Sequence, residues 1–261
     1  MKVGIIGGGN MGGAIAVGLA KSGVVNAADI TVADPHAERL TLTQQAPGLQ
    51  MTTDNVEAVT GSDIIILAVK PWLVETVLAG IAPRVDFRNQ IILSIAAGVT
   101  LDTISGWLSN YSSERTLFRA MPNTAIAIGQ SMTFICHRNA SDEQVAMVER
   151  LFGAIGKAAV IEERLMGAAT ALCSCGIAYA MRYVRAATEG GVELGFYASQ
   201  GKEFVLQTLR GAIELLESTG NNPEVEIDKV TTPGGVTIKG LNAMEANGFT
   251  TAVIEGLKAS K

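Results

Sequence analysis

Histidine and cysteine are scarce in this chain, two and three among 261 residues, and the scarcity removes whole chemistries. Cys136, Cys173 and Cys175 are odd in number, and Cys173-Ser174-Cys175 has neither CxxC nor metal-knuckle spacing, so no metal centre and no disulfide framework is expected. Reduced thiols in a cytoplasmic protein fit this usage best. An excess of positive charge is also missing. The net charge of −5 and isoelectric point near 5.2 provide no basic field, so neither nucleic acid nor an anionic membrane is expected as a partner. One apolar run approaches spanning length. Met166 to Met181 is sixteen residues without a charge, but it is rich in Ala, Gly, Ser and Cys and falls short of the roughly 20 residues a bilayer demands, so it is expected to be a buried helix. The opening "MKVGIIGGGN" enters an apolar run that glycines interrupt too early for a secretory leader.

What is present is a globular composition, 48% hydrophobic, in a chain long enough for two domains or one large one. Up to about residue 161 short β-rich runs alternate with helical patterns, the signature of a parallel sheet with crossover helices. Strands are expected at Lys2–Ile6, Asp29–Ala33, Asp63–Val69, Gln90–Ile95, Thr116–Arg119, Ser131–Cys136 and Ala158–Ile161. The nearly continuous apolar runs "DIIILAV" and "QIILSIA" belong at the sheet centre, covered on both faces. Pro71 supplies helix-start chemistry through its fixed φ, and Ser141 with Gln144 supplies a capping box. From residue 162 the β-rich runs stop. Long helices are expected over about 164–194, 199–218 and 237–261, the last broken near Gly248. Small residues recur through the first of these, and a long, weakly charged helix of that kind is expected to pack against another subunit.

Directly after the first strand comes Gly7-Gly8-Gly9-Asn10-Met11-Gly12, a G-x-G-x-x-G run that opens a helix and precedes a strand ending in Asp34. That context is what the dinucleotide fingerprint requires. Gly7 permits the turn, Gly9 lets the backbone approach a pyrophosphate, and Gly12 lets helix and strand touch; the amides at Asn10 and Met11 belong to the positive end of the helix. An acid at Asp34 favours a ribose 2′-hydroxyl and hence NAD, whereas His36 and Arg39 beyond Pro35 are able to pair with a 2′-phosphate. Two further loops leave the carboxyl ends of central strands, where ligands bind in open α/β sheets: "AVKPW", with Ala68, Val69, Lys70 and Pro71, and "IAAGVT", with Ala96 and Ala97. Lys70 is either a ribose or phosphate contact or a surface cation. In "AMPNT", Asn123 either serves the site or caps a turn.

The late stretch "VTTPGGVTIKG" (residues 230–240) restricts the backbone at Pro233 and removes side chains at Gly234 and Gly235, so that N–H groups near the start of the next helix converge on one point. That is an anion nest. Thr237, in the first turn, either caps the backbone or faces a ligand. A dinucleotide site together with a carboxylate-sized nest suggests hydride transfer to a small organic acid.

"VTTPGGVTIKGLNAMEANGF" closely resembles the signature of the pyrroline-5-carboxylate reductases, which make proline by reducing a cyclic imine, and "GIIGGGNMGGAI", "DIIILAVKP", "SIAAGVT" and "EGGVELG" match in the same order. The resemblance implies an α/β fold in which a Rossmann-type, mainly parallel sheet domain (1–161) is followed by an all-helical substrate-binding and dimerisation domain (162–261). It implies a homodimer, sometimes a ring of dimers, and NADPH as the usual cofactor with NADH possible. It places substrate near Thr232, Gly235, Val236 and Thr237, and cofactor contacts at Asn55, Val69, Lys70, Pro71, Ala96 and Ala97. Two departures stand out: Ser174-Cys175-Gly176-Ile177 replaces a Gly-Ser-Gly-Pro segment of many relatives, and Lys229 stands where some have asparagine.

The chemistry suits the sparse ionisable inventory, because a protonated cyclic imine is already electrophilic and needs alignment more than a base. Neither His36 nor His137 offers an obvious general base. The expectation is that amides of residues 235–237 hold the substrate carboxylate while the Thr237 hydroxyl, as the catalytic group, bonds the ring nitrogen. A β-hydroxyacid dehydrogenase, the nearest rival, resembles its relatives in using a lysine on the long helix, and no lysine lies between Lys157 and Lys202. A non-catalytic NADP sensor is the rival of another class, against which the intact late loop argues.

Overall fold

Runs of branched apolar residues build the centre of an eight-stranded sheet. The computed structural model describes residues 1–261, with side chains for all except residues 37–40. The strands are β1 (Val3–Ile6), β2 (Ile30–Ala33), β3 (Gln50–Thr52), β4 (Ile64–Leu67), β5 (Ile91–Ser94), β6 (Thr116–Met121), β7 (Ser131–Arg138) and β8 (Gly156–Val160), in the order β3-β2-β1-β4-β5-β6-β7-β8. Every neighbouring pair is parallel except β6 with β7. All four residues of β1, β4 and β5 are buried, which explains why their sequences do not alternate. Period-two geometry still sorts the side chains. Ile64 and Ile66 enter one core with Ile5, Ile15, Leu19 and Phe152, whereas Ile65 and Leu67 enter the other with Ile6, Leu78 and Ile104. Each fully buried side chain of this kind stabilises the sheet by about 1.5–3 kcal/mol.

The crossovers α1 (Asn10–Ser22), α2 (Asn55–Val59), α3 (Val74–Ile81) and α4 (Leu101–Trp107), with α5 (Asp142–Gly153), cover the two faces. The capping box expected at α5 is present: Gln144 N–H donates to Ser141 Oγ at 3.3 Å, and Ser141 N–H donates to Gln144 Oε1 at 2.9 Å. All seven expected strands form. The eighth, β3, was not anticipated, being three residues long and lying at the sheet edge. Register makes the carboxyl edge flush, because Ile6 pairs with Ala33 on one side and Leu67 on the other, and Leu67 pairs with Ser94. Loops leaving β1, β2, β4 and β5 therefore start at one level.

The chain divides into two compact units, Met1–Ser174 and Cys175–Lys261. The first ends later than the last strand because the following segment stays attached to the sheet domain. Glu163 accepts from Leu101 N–H at 2.8 Å and from buried Arg119 at 2.5 Å, and Met166, Ala169 and Ala171 are buried. This segment holds α6 (Met166–Ala169) and a π-helical turn, Thr170–Cys175.

The second unit is helical throughout: α7 (Gly176–Glu193), α8 (Ala198–Thr219), α9 (Pro223–Lys229), α10 (Val236–Ala246) and α11 (Phe249–Ala259). The expected break near Gly248 separates α10 from α11, while α9 was not anticipated. Inside this unit the Tyr179 hydroxyl meets Ser260 Oγ and donates to Gly256 O at 3.3 Å, and Tyr183 packs edge-on against Phe249. The expectation of a buried helix over Met166–Met181 is corrected here. Burial ends at Ala171: Leu172, near the end of the first unit, is 60% exposed, and Met181 is 65% exposed because the second unit closes no core of its own. Gly201 alone among the residues of α7–α11 is buried. By length and composition, Glu163–Glu193 is the one helix among the described residues apolar enough to cross a membrane.

Candidate functional site

The first unit builds a cradle out of glycine. Gly7 leaves β1 at φ +106°, and its N–H donates to Ala33 O at 2.7 Å. A Cβ on Gly7 would stand 2.6 Å from Ala68 O, and one on Gly12 would stand 1.9 Å from Gly7 O, so neither position admits a side chain. Gly9 is the N-cap of α1. It offers no side chain to the helix, and no acidic residue sits in the first turn. The N–H groups at Asn10, Met11 and Gly12 are therefore available to an anion, and the helix dipole adds roughly half a positive charge. Two other helix starts on this edge are closed: Asp54 caps α2 and Thr100 caps α4 with their own side chains. The open cradle fits a pyrophosphate.

Around it the flush edge assembles the predicted neighbours. Asp34 leaves β2 buried, its carboxylate accepting the N–H groups of Gly8 and His36 at 2.8 and 3.0 Å. Arg39 lies outside the residues whose side chains are described. Asn55 opens α2. Ala68, half-buried Val69 and exposed Lys70 leave β4, and Pro71 begins a 3-10 turn at its first position; the Lys70 carbonyl accepts Leu73 N–H at 2.9 Å, while its ammonium makes no hydrogen bond among the described residues. Ala96 is buried and its N–H donates to Ser94 Oγ at 3.2 Å, while Ala97 is exposed. Small side chains here leave space over the edge. Asn123 resolves its two readings toward structure: buried, it accepts Ala125 N–H at 3.0 Å to cap a 3-10 turn and donates through Nδ2 to Cys173 O at 3.4 Å. Ser174 Oγ donates to Pro122 O at 3.1 Å. These two bonds tie the loop after β6 to the π turn, and nothing periodic in the sequence announced either.

In the second unit, Thr232-Pro233-Gly234-Gly235 forms a tight turn closed by Gly235 N–H donating to Thr232 O at 2.9 Å, with Gly234 at φ +72°. Proline followed by a positive-φ glycine is the type II pattern. A Cβ on Gly235 would stand 2.6 Å from Thr232 Oγ1, which would have to rotate away, and 3.0 Å from Thr232 O, so the second glycine relieves a close approach in the turn. Gly235 is also the N-cap of α10, and like Gly9 it contributes no capping side chain and is followed by no acid in the first turn. The Gly235 amide is occupied by the turn, which leaves the N–H groups from Val236 onward as the open donors. Thr237 is exposed and its hydroxyl has no partner among the described residues, so it does not cap the helix. Lys229 is paired with Glu226 at 2.7 Å. Among the described residues no group of three or more His, Cys, Asp or Glu is arranged to hold a metal. The Cys136 thiol is pushed up to about 11 by burial, with Glu163 adding to the effect, and burial raises Cys173 as well, so neither is tuned as a nucleophile.

Two family models match the chain. One described as pyrroline-5-carboxylate reductase dimerisation covers residues 163–261, and one described as NADP oxidoreductase, coenzyme F420-dependent, covers residues 2–98. A pyrroline-5-carboxylate reductase 2 of Dictyostelium discoideum is 36% identical over 99% of this chain and 90% of its own length. A pyrroline-5-carboxylate reductase of a Synechocystis strain is 34% identical over 100% of this chain and 96% of its own. Among solved structures, the Plasmodium falciparum pyrroline carboxylate reductase with NADP bound superposes with a TM-score of 0.89 at 28% identity, covering 100% of this chain and 95% of that one.

Proposed function

The chain belongs to the pyrroline-5-carboxylate reductase family, and from that premise we propose that it reduces the cyclic imine of 1-pyrroline-5-carboxylate to L-proline with NADPH, NADH being the alternative donor. The observation that carries this reading is a pair of helix starts left open by glycine, one in each unit, in a chain similar to these reductases along its whole length. When bound, the dinucleotide supplies the hydride. Its pyrophosphate is held by the amides from Gly9 to Gly12, with Asn55, Ala68–Pro71, Ala96, Ala97, Asp34 and Arg39 as its further surroundings.

The remaining roles fall to the late loop. Amides of Val236 and Thr237 fix the substrate carboxylate, Gly234 and Gly235 keep side chains out of its way, and Thr232 borders it. The Thr237 hydroxyl bonds the ring nitrogen and steadies the amine as the imine carbon accepts hydride. The ring nitrogen arrives protonated, so no buried base is required.

Residues 162–261 serve as the substrate and dimerisation domain after a dinucleotide domain of 1–161. The protein is a homodimer through this helical segment, the exposed apolar faces of α7 and α8 being what a second copy covers. A ring of dimers is the larger assembly proposed. The compartment is the cytoplasm, in keeping with three free cysteines, and the apolar helix Glu163–Glu193 is read as dimer-forming. The reaction is tested by mixing the protein with NADPH and the imine. Rapid, imine-dependent loss of NADPH absorbance is expected, and its absence with correctly folded dimer refutes the assignment.

A further inference from the structure

An acid closing the second strand of a dinucleotide fold ordinarily reads a ribose hydroxyl and turns away a 2′-phosphate. Asp34 stands at that position with a different set of partners. It is only 2% exposed. Oδ2 accepts Gly8 N–H at 2.8 Å, and Oδ1 accepts His36 N–H at 3.0 Å. The Asp34 N–H in turn donates to Thr52 O at 3.1 Å, which pins the residue to the strand beside it. Gly8 approaches so closely that a Cβ there would stand 3.2 Å from Asp34 Cβ. Bonds between a carboxylate and main-chain N–H groups are among the stronger ones a protein makes. This one fastens the middle of the glycine turn to the end of β2.

We propose that Asp34 is a positioning residue for the glycine cradle, holding the Gly8 amide and through it the open start of α1, and that it does not select between ribose and ribose 2′-phosphate. Each carboxylate oxygen accepts a backbone N–H, one from the glycine turn and one from the residue beyond Pro35, so the side chain is oriented toward the turn it supports. Nucleotides with and without the 2′-phosphate share the pyrophosphate that the cradle holds. Both therefore depend on Asp34 to the same degree. The inference rests on the dinucleotide reading of the cradle, not on imine reduction.

The test uses ADP-ribose and 2′-phospho-ADP-ribose, titrated calorimetrically into the full-length protein. The wild type is expected to bind the 2′-phosphate at least as tightly as ADP-ribose. Asp34→Ala is expected to weaken both by about tenfold or more, with their ratio kept within about threefold, the loss of a charge-assisted hydrogen bond setting that scale. Asp34→Asn, which retains one acceptor, is expected to recover part of both affinities. Thermal melts identify variants that fold. The inference is overturned by a wild type that prefers ADP-ribose more than about tenfold, by a variant whose ratio swings tenfold toward the 2′-phosphate, or by unchanged affinities in Asp34→Ala. If Asp34→Ala fails to fold, the wild-type ratio and Asp34→Asn still decide the matter. Neither titration contains imine, so a protein that binds the probes as expected but oxidises no NADPH refutes the reaction alone.

Discussion

The two units share one local arrangement, a helix start left open by glycine, in opposite surroundings. At α1 the turn is wedged against β1, β2 and β4, and side chains are excluded by backbone atoms 1.9 to 2.6 Å from where they would start. At α10 the turn is closed by its own Thr232–Gly235 bond and entered from Thr231, which bonds back to Asp228 O, and nothing lies within 4 Å of where a Gly234 side chain would begin. The same contrast runs through the packing. The first unit buries two apolar clusters around its sheet, whereas helices α7 to α11 bury a single glycine. The glycine turn of the first unit is thus built into a finished core, while that of the second sits on helices that bury almost nothing of their own.

Substitutions at matched positions should expose this difference. The largest effect is expected for Gly12→Ala, whose methyl must displace the Gly7 carbonyl: a loss of roughly 3 kcal/mol or more in denaturant unfolding, with nucleotide binding abolished. A near-wild-type melt would break the comparison. Next, Met181→Asp places a charge on a face that is 65% exposed in the single chain. Light scattering is expected to show dissociation to monomers and activity to fall with it, while a persistent dimer would remove α7 from the interface.

Thr237→Ala is expected to lower kcat/KM for the imine about 100-fold while stability changes by less than about 0.5 kcal/mol, since the hydroxyl bonds nothing in the fold. Thr237→Ser should recover most of the rate. Gly234→Ala carries a positive φ of 72° into alanine and should destabilise by only about 1 kcal/mol, raising KM for the imine several-fold and leaving nucleotide affinity alone.

The mildest test concerns Cys136, in the closed core, whose thiol is held near 11 mainly by burial. The fold favours the neutral thiol. The stability this lends is complete below the ordinary thiol range and is lost as pH climbs through about 11. Cys136→Ala should flatten unfolding free energy against pH between roughly 9 and 11, and an unaltered slope would contradict the assignment.

The first unit was legible because long apolar runs and the glycine spacing are local signals. β3 escaped because Gln50–Thr52 is too short for a period to show. α9 escaped although Asn222 and Pro223 mark its start, since none of its residues is buried and no apolar face announces it. At the site, Gly7, Gly12 and the Thr232–Gly235 turn could be read from chemistry alone. The partners of Asp34 could not, because the bond to Gly8 spans 26 positions of chain and its direction depends on strand register. The π turn was equally hidden: it breaks the very periodicity by which helices are recognised. The spent amide of Gly235 is a similar case, since the same residues that mark a nest also mark a turn that consumes one donor.

The level carboxyl edge of the sheet also governs how this gene can change length. Removing one residue from Val3–Ile6 would draw the following loop back by about 3.3 Å and send alternate side chains to the wrong core. Indels should therefore be tolerated on the opposite rim, around Gly23 and Gly61, where neither glycine has a neighbour within 4 Å. Lineages would be free to lengthen the protein at one end of its strands and almost nowhere at the other.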